Sequence, residues 1–132
     1  MERFKYISPE WAEEAHRRLK AELTPEKMKH VTSSMVTFNR NCPDGKDRAV
    51  YYKFVDGVID QVTVVEGEPP PAEFRITGNY ETFAKISRAE MGSRAALMSG
   101  KLRLDGNMVK ALSLSAVVDR MNKVLSTIPT EY

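Results

Sequence analysis

The spacing of apolar residues changes several times along the chain, and each change marks an element. Trp11, Ala15, Leu19 and Leu23 recur every four residues and make one helical stripe. Ser8 offers a capping hydroxyl ahead of it, and Pro9 suits a first helical turn. Glu10, Glu13 and Glu14 fall toward the positive end of this helix, and Arg17, Arg18 and Lys20 toward its negative end. Thr24-Pro25 repeats the pairing of cap and proline and predicts a second, short helix starting there.

The period then shortens. Over 31–41, Val36 and Phe38 alternate with Thr37, which predicts a strand. Cys42-Pro43-Asp44-Gly45 is a turn cluster. A second strand over 49–55 is dense in Val50, Tyr51, Tyr52, Phe54 and Val55. Asp56-Gly57 joins it to Val58, Ile59, Val62, Val64 and Val65, a strong hairpin signal. These three strands read as an antiparallel meander. The run from Glu66 to Pro71 contains Pro69, Pro70 and Pro71, which lack the amide donors a ladder needs. It reads as a stiff crossing loop within one domain spanning 1–132, not as a domain boundary.

Four further elements follow. Phe74 and Ile76 share one face of a strand over 73–78, and Leu102 and Leu104 share one face of another over 101–106. Tyr80, Phe83 and Ile86 predict a helix over 79–88, and 93–98 predicts a shorter one. The remainder, 108–128, reads as helix with one apolar side.

Composition narrows the class. At 132 residues, 42% hydrophobic and 29% charged, the chain is an ordinary globular domain able to bury a core. A net charge of +2 gives no general attraction to nucleic acid, so none is expected as partner. No apolar run approaches the roughly 20 residues that span a bilayer, so stable membrane insertion is not expected. The stretch 1–6 lacks the apolar core of a signal peptide, and the single cysteine, Cys42, fits a reducing compartment. A cytoplasmic protein is the expectation.

Catalytic signals are sparse. His16 and His30 are the two histidines, without neighbouring metal-ligand spacing. Cys42 has no histidine beside it in sequence, and neither a Walker pattern nor G-x-G-x-x-G occurs. Arg17-Arg18-x-Lys20 reads as a solvated helix face, and Trp11 as a packing anchor. No enzyme activity, cofactor or metal is expected. Convergence of His16, His30 or Cys42 on a carboxylate in a pocket would revive the enzyme alternative.

The segment Phe74-Arg75-Ile76-Thr77-Gly78, then Phe83 and Ile86, then Ala96-Leu97-Met98-Ser99-Gly100-Lys101-Leu102-Arg103-Leu104-Asp105-Gly106-Asn107, resembles the sterol carrier protein 2 family. The likeness is sharpest over 74–114. It implies an α+β fold, a five-stranded mixed and mainly antiparallel sheet covered on one side by helices. It also implies an apolar tunnel between sheet and helices that takes a fatty acid, a fatty acyl chain or a sterol. The matching elements make Phe74, Ile76, Phe83, Ile86, Leu97, Met98, Leu102, Leu104, Met108, Leu112 and Met121 the candidate lining residues. Flexible, polarizable methionine suits an adaptable apolar space. The ending Pro129-Thr130-Glu131-Tyr132 differs from the Ser-Lys-Leu-like signal of peroxisomal members, so peroxisomal import is not implied. The alternative is a non-catalytic accessory module that docks on a lipid-metabolising enzyme partner.

Overall fold

The computed structural model describes residues 3–132; Met1 and Glu2, part of the N-terminal stretch considered above, lie outside them. Helix α1 (Pro9–Glu22) begins where the caps predict, with Ser8 Oγ accepting from the Trp11 amide at 3.1 Å. Its buried face carries Trp11, Ala12, Ala15 and Leu19. On its other side Arg17 and Arg18 both bond Glu14, and this holds the Glu14 carboxyl down at about 2. Arg18 also donates to the Thr127 carbonyl at 2.8 Å, so it is tied within the fold, while Arg17 and Lys20 stay exposed as expected of a solvated face.

The second helix expected from Thr24 does not form. Thr24 Oγ1 still accepts from the Lys27 amide at 3.2 Å, but the segment closes as a turn. Lys29 and His30 both adopt φ of 52°, a left-handed conformation that ends any right-handed helix. Docking decides this outcome. The turn buries Met28 completely, and the Val31 carbonyl takes the Gly57 amide at 2.7 Å from a distant hairpin.

That hairpin joins β3 (Arg48–Val55) to β4 (Val58–Glu66). Asp56 and Gly57 have φ of 49° and 81°, the type I′ geometry that a two-residue Asp-Gly loop favours. Strand β2 (Ser33–Arg40) pairs antiparallel with β3, and β5 (Phe74–Asn79) pairs parallel with β2. Strand β6 (Leu102–Asp105) closes the sheet antiparallel to β5, giving the order β4-β3-β2-β5-β6. The mixed five-stranded sheet follows from one fact: the proline-rich connection after β4 passes over β3 and β2 before β5 pairs. It crosses on the outer face, where Pro69 is buried and Ala72 packs on Val36, Phe38 and Ala49. The Arg75 guanidinium stacks 4.9 Å from the Phe38 ring there.

The helices lie against the inner face. Val50, Tyr52 and Phe54 of β3 join Trp11 and Leu19 of α1 and Met121 and Leu125 of the last helix in the main core. After β5 come α2 (Tyr80–Ser87) and α3 (Ser93–Met98). The expected single helix over 108–128 is instead two, α4 (Met108–Ser113) and α5 (Ser115–Leu125), broken at Leu114 with φ −97° and ψ 7°. Two residues at each end add a small parallel ladder, β1 (Phe4–Lys5) with β7 (Thr130–Glu131). Strands that short have no readable period, and nothing in the sequence pattern announced them.

The hairpin tip gives a direct test. A Cβ on Gly57 would sit 2.8 Å from the Pro25 backbone, whereas one on Gly45, at the same φ of 81°, would meet open space. Gly45→Ala should cost about 1 kcal/mol of unfolding free energy, and Gly57→Ala about 2–4 kcal/mol. Urea titration of both variants measures this; equal losses would contradict the docking of the hairpin on the 25–30 turn.

Candidate functional site

A hollow of about 90 Å³ lies between the inner face of the sheet and the C-terminal helices. Its floor is set by strand register. Met35 stands opposite Phe74 across the parallel β2–β5 pair, and Ile76 opposite Leu104 across β5–β6. Because side chains alternate, Phe74, Ile76, Leu102 and Leu104 all point inward while Arg75, Arg103 and Asp105 point out. The roof is Leu97 of α3, Met108, Ala111 and Leu112 of α4, and Val117, Val118 and Met121 of α5.

A second, inner hollow of about 50 Å³ adjoins it. Met35, Ile76, Ser93, Leu102, Val118 and Met121 line both, so the two chambers abut across a pinch formed by these side chains. The inner chamber reaches Tyr6, Trp11, Tyr52, Phe83 and Ile86. Gly78 makes the pinch tight. A Cβ there would meet Leu102 Cδ2 at 2.5 Å and Phe83 Cε2 at 3.2 Å, so the missing side chain is the space Leu102 occupies.

The roof is thin. Helix α3 buries only Ala96, and α4 buries no residue. Met108 and Leu112 line the outer chamber yet remain 48% and 41% exposed, and Val109 and Met98 are 80% and 78% exposed. One polar link ties α4 to the sheet: Lys110 Nζ bonds Glu73 Oε2 at 2.5 Å. Ser33 donates to the same carboxylate at 2.6 Å, and these two bonds hold the Glu73 carboxyl below its usual range. Both partners of the ion pair are about two-fifths exposed, so solvent screens it, and it contributes about 0–1 kcal/mol.

The chambers are largely uncharged. Four serines, Ser33, Ser34, Ser93 and Ser115, and one cation, Arg94, are the polar side chains of the outer one. In the inner chamber, burial pushes the Tyr6 and Tyr52 hydroxyls well above their ordinary range, so both stay protonated. The Tyr6 hydroxyl donates weakly to the Phe83 carbonyl at 3.4 Å. Trp11 Nε1 is buried without an acceptor among the described residues.

Of the residues singled out by sequence, Phe74, Ile76, Leu97, Leu102, Leu104, Met108, Leu112 and Met121 lie on the outer chamber. Phe83 and Ile86 lie on the inner one. Met98 lines neither chamber. It follows Leu97 on α3, and the rotation of about 100° between consecutive helix residues leaves Leu97 on the hollow and Met98 in solvent. His16, His30 and Cys42 line neither chamber. His30 pairs with the exposed Asp56 at 3.2 Å, and burial raises the Cys42 thiol above its usual range.

Sequence reasoning missed the contribution of β2. Val36 and Phe38, whose alternation predicted the strand, lie under the proline-rich crossing, and Met35 is the residue on the hollow. A central strand covered on both sides carries apolar residues on both, so alternation alone does not say which face is which. Arg94 was also missed; a lone arginine on a short helix carries no pattern.

A family model described as the SCP-2 sterol transfer family matches residues 10–119. No curated protein matches the chain. Among solved structures, a crystal structure of sterol carrier protein 2 superposes with a TM-score of 0.83 at 23% identity, covering 94% of this chain and 99% of that one. A conserved hypothetical protein from Thermus thermophilus gives the same score and identity over 99% and 94% of the two chains. Sterol carrier protein domain 2 of Helicoverpa armigera follows at a TM-score of 0.60 and 17% identity, over 92% and 94%. At these identities the likeness shows a shared fold.

The hollow makes a prediction of its own. Leu102→Ala joins the two chambers and should cost about 2–4 kcal/mol. A small apolar guest such as benzene should restore part of this, raising the melting temperature of the variant more than that of the parent. An equal response of both proteins would mean the space collapses when the side chain is cut.

Proposed function

The chain belongs to the SCP-2 sterol transfer family, and from that premise we propose that it is a carrier that holds the apolar part of a lipid in the two-chambered hollow. One observation carries the reading: a floor and roof of hydrocarbon side chains enclose a space that the core does not fill. The chemistry available there is burial, not bond breaking. Hydroxyls of serine, threonine and tyrosine, the Trp11 indole, the Asn122 amide and one guanidinium are its polar groups, and neither histidine nor the thiol reaches it. Fatty acids, fatty acyl chains and sterols are the ligand classes that fit such walls.

The energetics suffice. Burying about fifteen methylenes, as in a sixteen-carbon chain, at roughly 0.8 kcal/mol each yields on the order of 12 kcal/mol. Losses of rigid-body freedom offset about 4 of these, which leaves about 8 kcal/mol, or micromolar affinity, without a dedicated head-group site. A methylene more or less is discriminated weakly, so the protein accepts a range of chains.

A hollow of about 90 Å³ is small beside the roughly 300–1,000 Å³ of pockets that enclose drug-sized ligands. The roof therefore moves on loading. Helix α4 is the element to move: it buries nothing and is latched by a solvent-screened ion pair. Displacing Met108 and Leu112 costs little, because each is already half in water.

A second reading rests on the exposed apolar side chains Met98, Met108, Val109 and Leu112, which would also suit docking on a lipid-metabolising enzyme. Val109→Gln with Met98→Gln separates the two, since neither residue lines the hollow.

The primary test is displacement of a fluorescent fatty acid by unlabelled lipids. Binding should be micromolar, survive Val109→Gln with Met98→Gln, and weaken at least about tenfold in Ala111→Trp, which fills the outer chamber. Circular dichroism checks that the variants keep the fold. Absence of displaceable binding by the parent protein at micromolar concentration would overturn the carrier reading.

A further inference from the structure

Among the described residues, Arg94 is the sole charged side chain on the walls of either chamber. It lies on α3, is exposed, and forms no ion pair among those residues. It lines the apolar space and is also exposed, which places this cation at the rim of a hydrocarbon pocket. Lys110, the cation on the neighbouring helix, is engaged by Glu73 and does not line the chamber. Most arginines on this surface are spoken for: Arg17 and Arg18 by Glu14, Arg48 by Asp44, Arg75 by Glu68, Arg88 by Glu90.

Resting on the carrier reading above, we infer that Arg94 sets both the orientation and the class of the ligand: a single-chain lipid whose terminal anionic head pairs with the guanidinium, its tail running inward past Leu102 toward Trp11. The guanidinium fork matches a carboxylate or phosphate bidentately. The opposite orientation would bring an ionised head to the inner chamber, where Tyr6 and Tyr52 are protonated phenols and no cation lines the wall. Burying an unpaired charge costs far more than leaving the Trp11 Nε1 donor unmet. A neutral hydroxyl can accept one hydrogen bond from Arg94 but gains no charge pairing, so the same arginine ranks anionic chains above alcohols and sterols.

The molecule carries its own depth gauge. Trp11 is the single tryptophan and lines only the inner chamber. Bromine quenches indole emission at contact range, so hexadecanoate brominated at its ω-carbon should quench Trp11 strongly and hexadecanoate brominated beside the carboxylate should not. In parallel, Arg94→Gln should weaken hexadecanoate or hexadecyl phosphate about tenfold, the loss of one charge-assisted bond, and hexadecanol about twofold at most, because the Gln amide still donates to a hydroxyl. Arg94→Lys should recover part of the loss. The two anions tell a carboxylate from a phosphate head, and dependence of either on Arg94 supports the anchor. Quenching by the carboxylate-side bromine, or an Arg94→Gln protein that binds anions and alcohol as the parent does, would overturn the anchor and leave the carrier reading standing. Failure of the parent protein to bind any of these chains would overturn both.

Discussion

Two six-residue helices have to cover the apolar inner face of β5 and β6, and they are too short to fill the space above it. Most of the site follows from this shortfall. A long amphipathic helix laid across the same strands would pack its stripe onto Phe74, Ile76, Leu102 and Leu104 and leave solid core. Here α3 contributes one buried alanine and α4 none, so the floor stays partly unpaired and a hollow persists. The cost is visible on the outside, where Met108, Val109 and Leu112 stand in water. A fold under selection for stability alone would bury them. Their exposure makes sense if α4 exchanges between covering an empty hollow and covering an occupied one.

The other half of the molecule supplies the rigidity that a thin roof needs. Trp11, Leu19 and Met28 are almost fully buried in the main core, where α1 packs against β4, and the 25–30 turn is bolted to the β3–β4 hairpin through Val31 and Gly57. The proline-rich crossing seals the outer face over Val36 and Phe38. The apolar hollow thus lies on the inner side of the sheet, at the β5–β6 end. The stable part fixes the floor, and the marginal part carries the motion.

Much of the architecture was legible because local chemistry and tertiary demand agree. The Ser8 cap, the Asp56-Gly57 turn and the Pro69–Pro71 crossing each have one low-energy use, and the structure adopts it. Legibility failed where a distant contact decided. The 25–30 segment carries a good helix-start signal, yet packing on Gly57 turns it, and the long C-terminal apolar stretch breaks at Leu114 so that α4 can lie over β5. The β1–β7 ladder depends on the two chain ends meeting, which no local pattern encodes. Within the site, strand residues were the easier half: period two assigns Phe74, Ile76, Leu102 and Leu104 to one face without ambiguity. Helix residues were harder, as Met98 shows, because on a six-residue helix one step of rotation separates the hollow from solvent.

The hollow itself was not written in periodicity. Apolar faces imply burial, and whether the burial is dense or hollow depends on helix lengths and angles that only three dimensions display. The central claim is that the hollow is a lipid site, and native mass spectrometry of the freshly purified protein, followed by lipid analysis of the extract, tests it most directly. The account predicts a population carrying the mass of one single-chain lipid, or an apo protein that takes up one equivalent on incubation with hexadecanoate. A protein that shows only its bare mass before and after that incubation would contradict it.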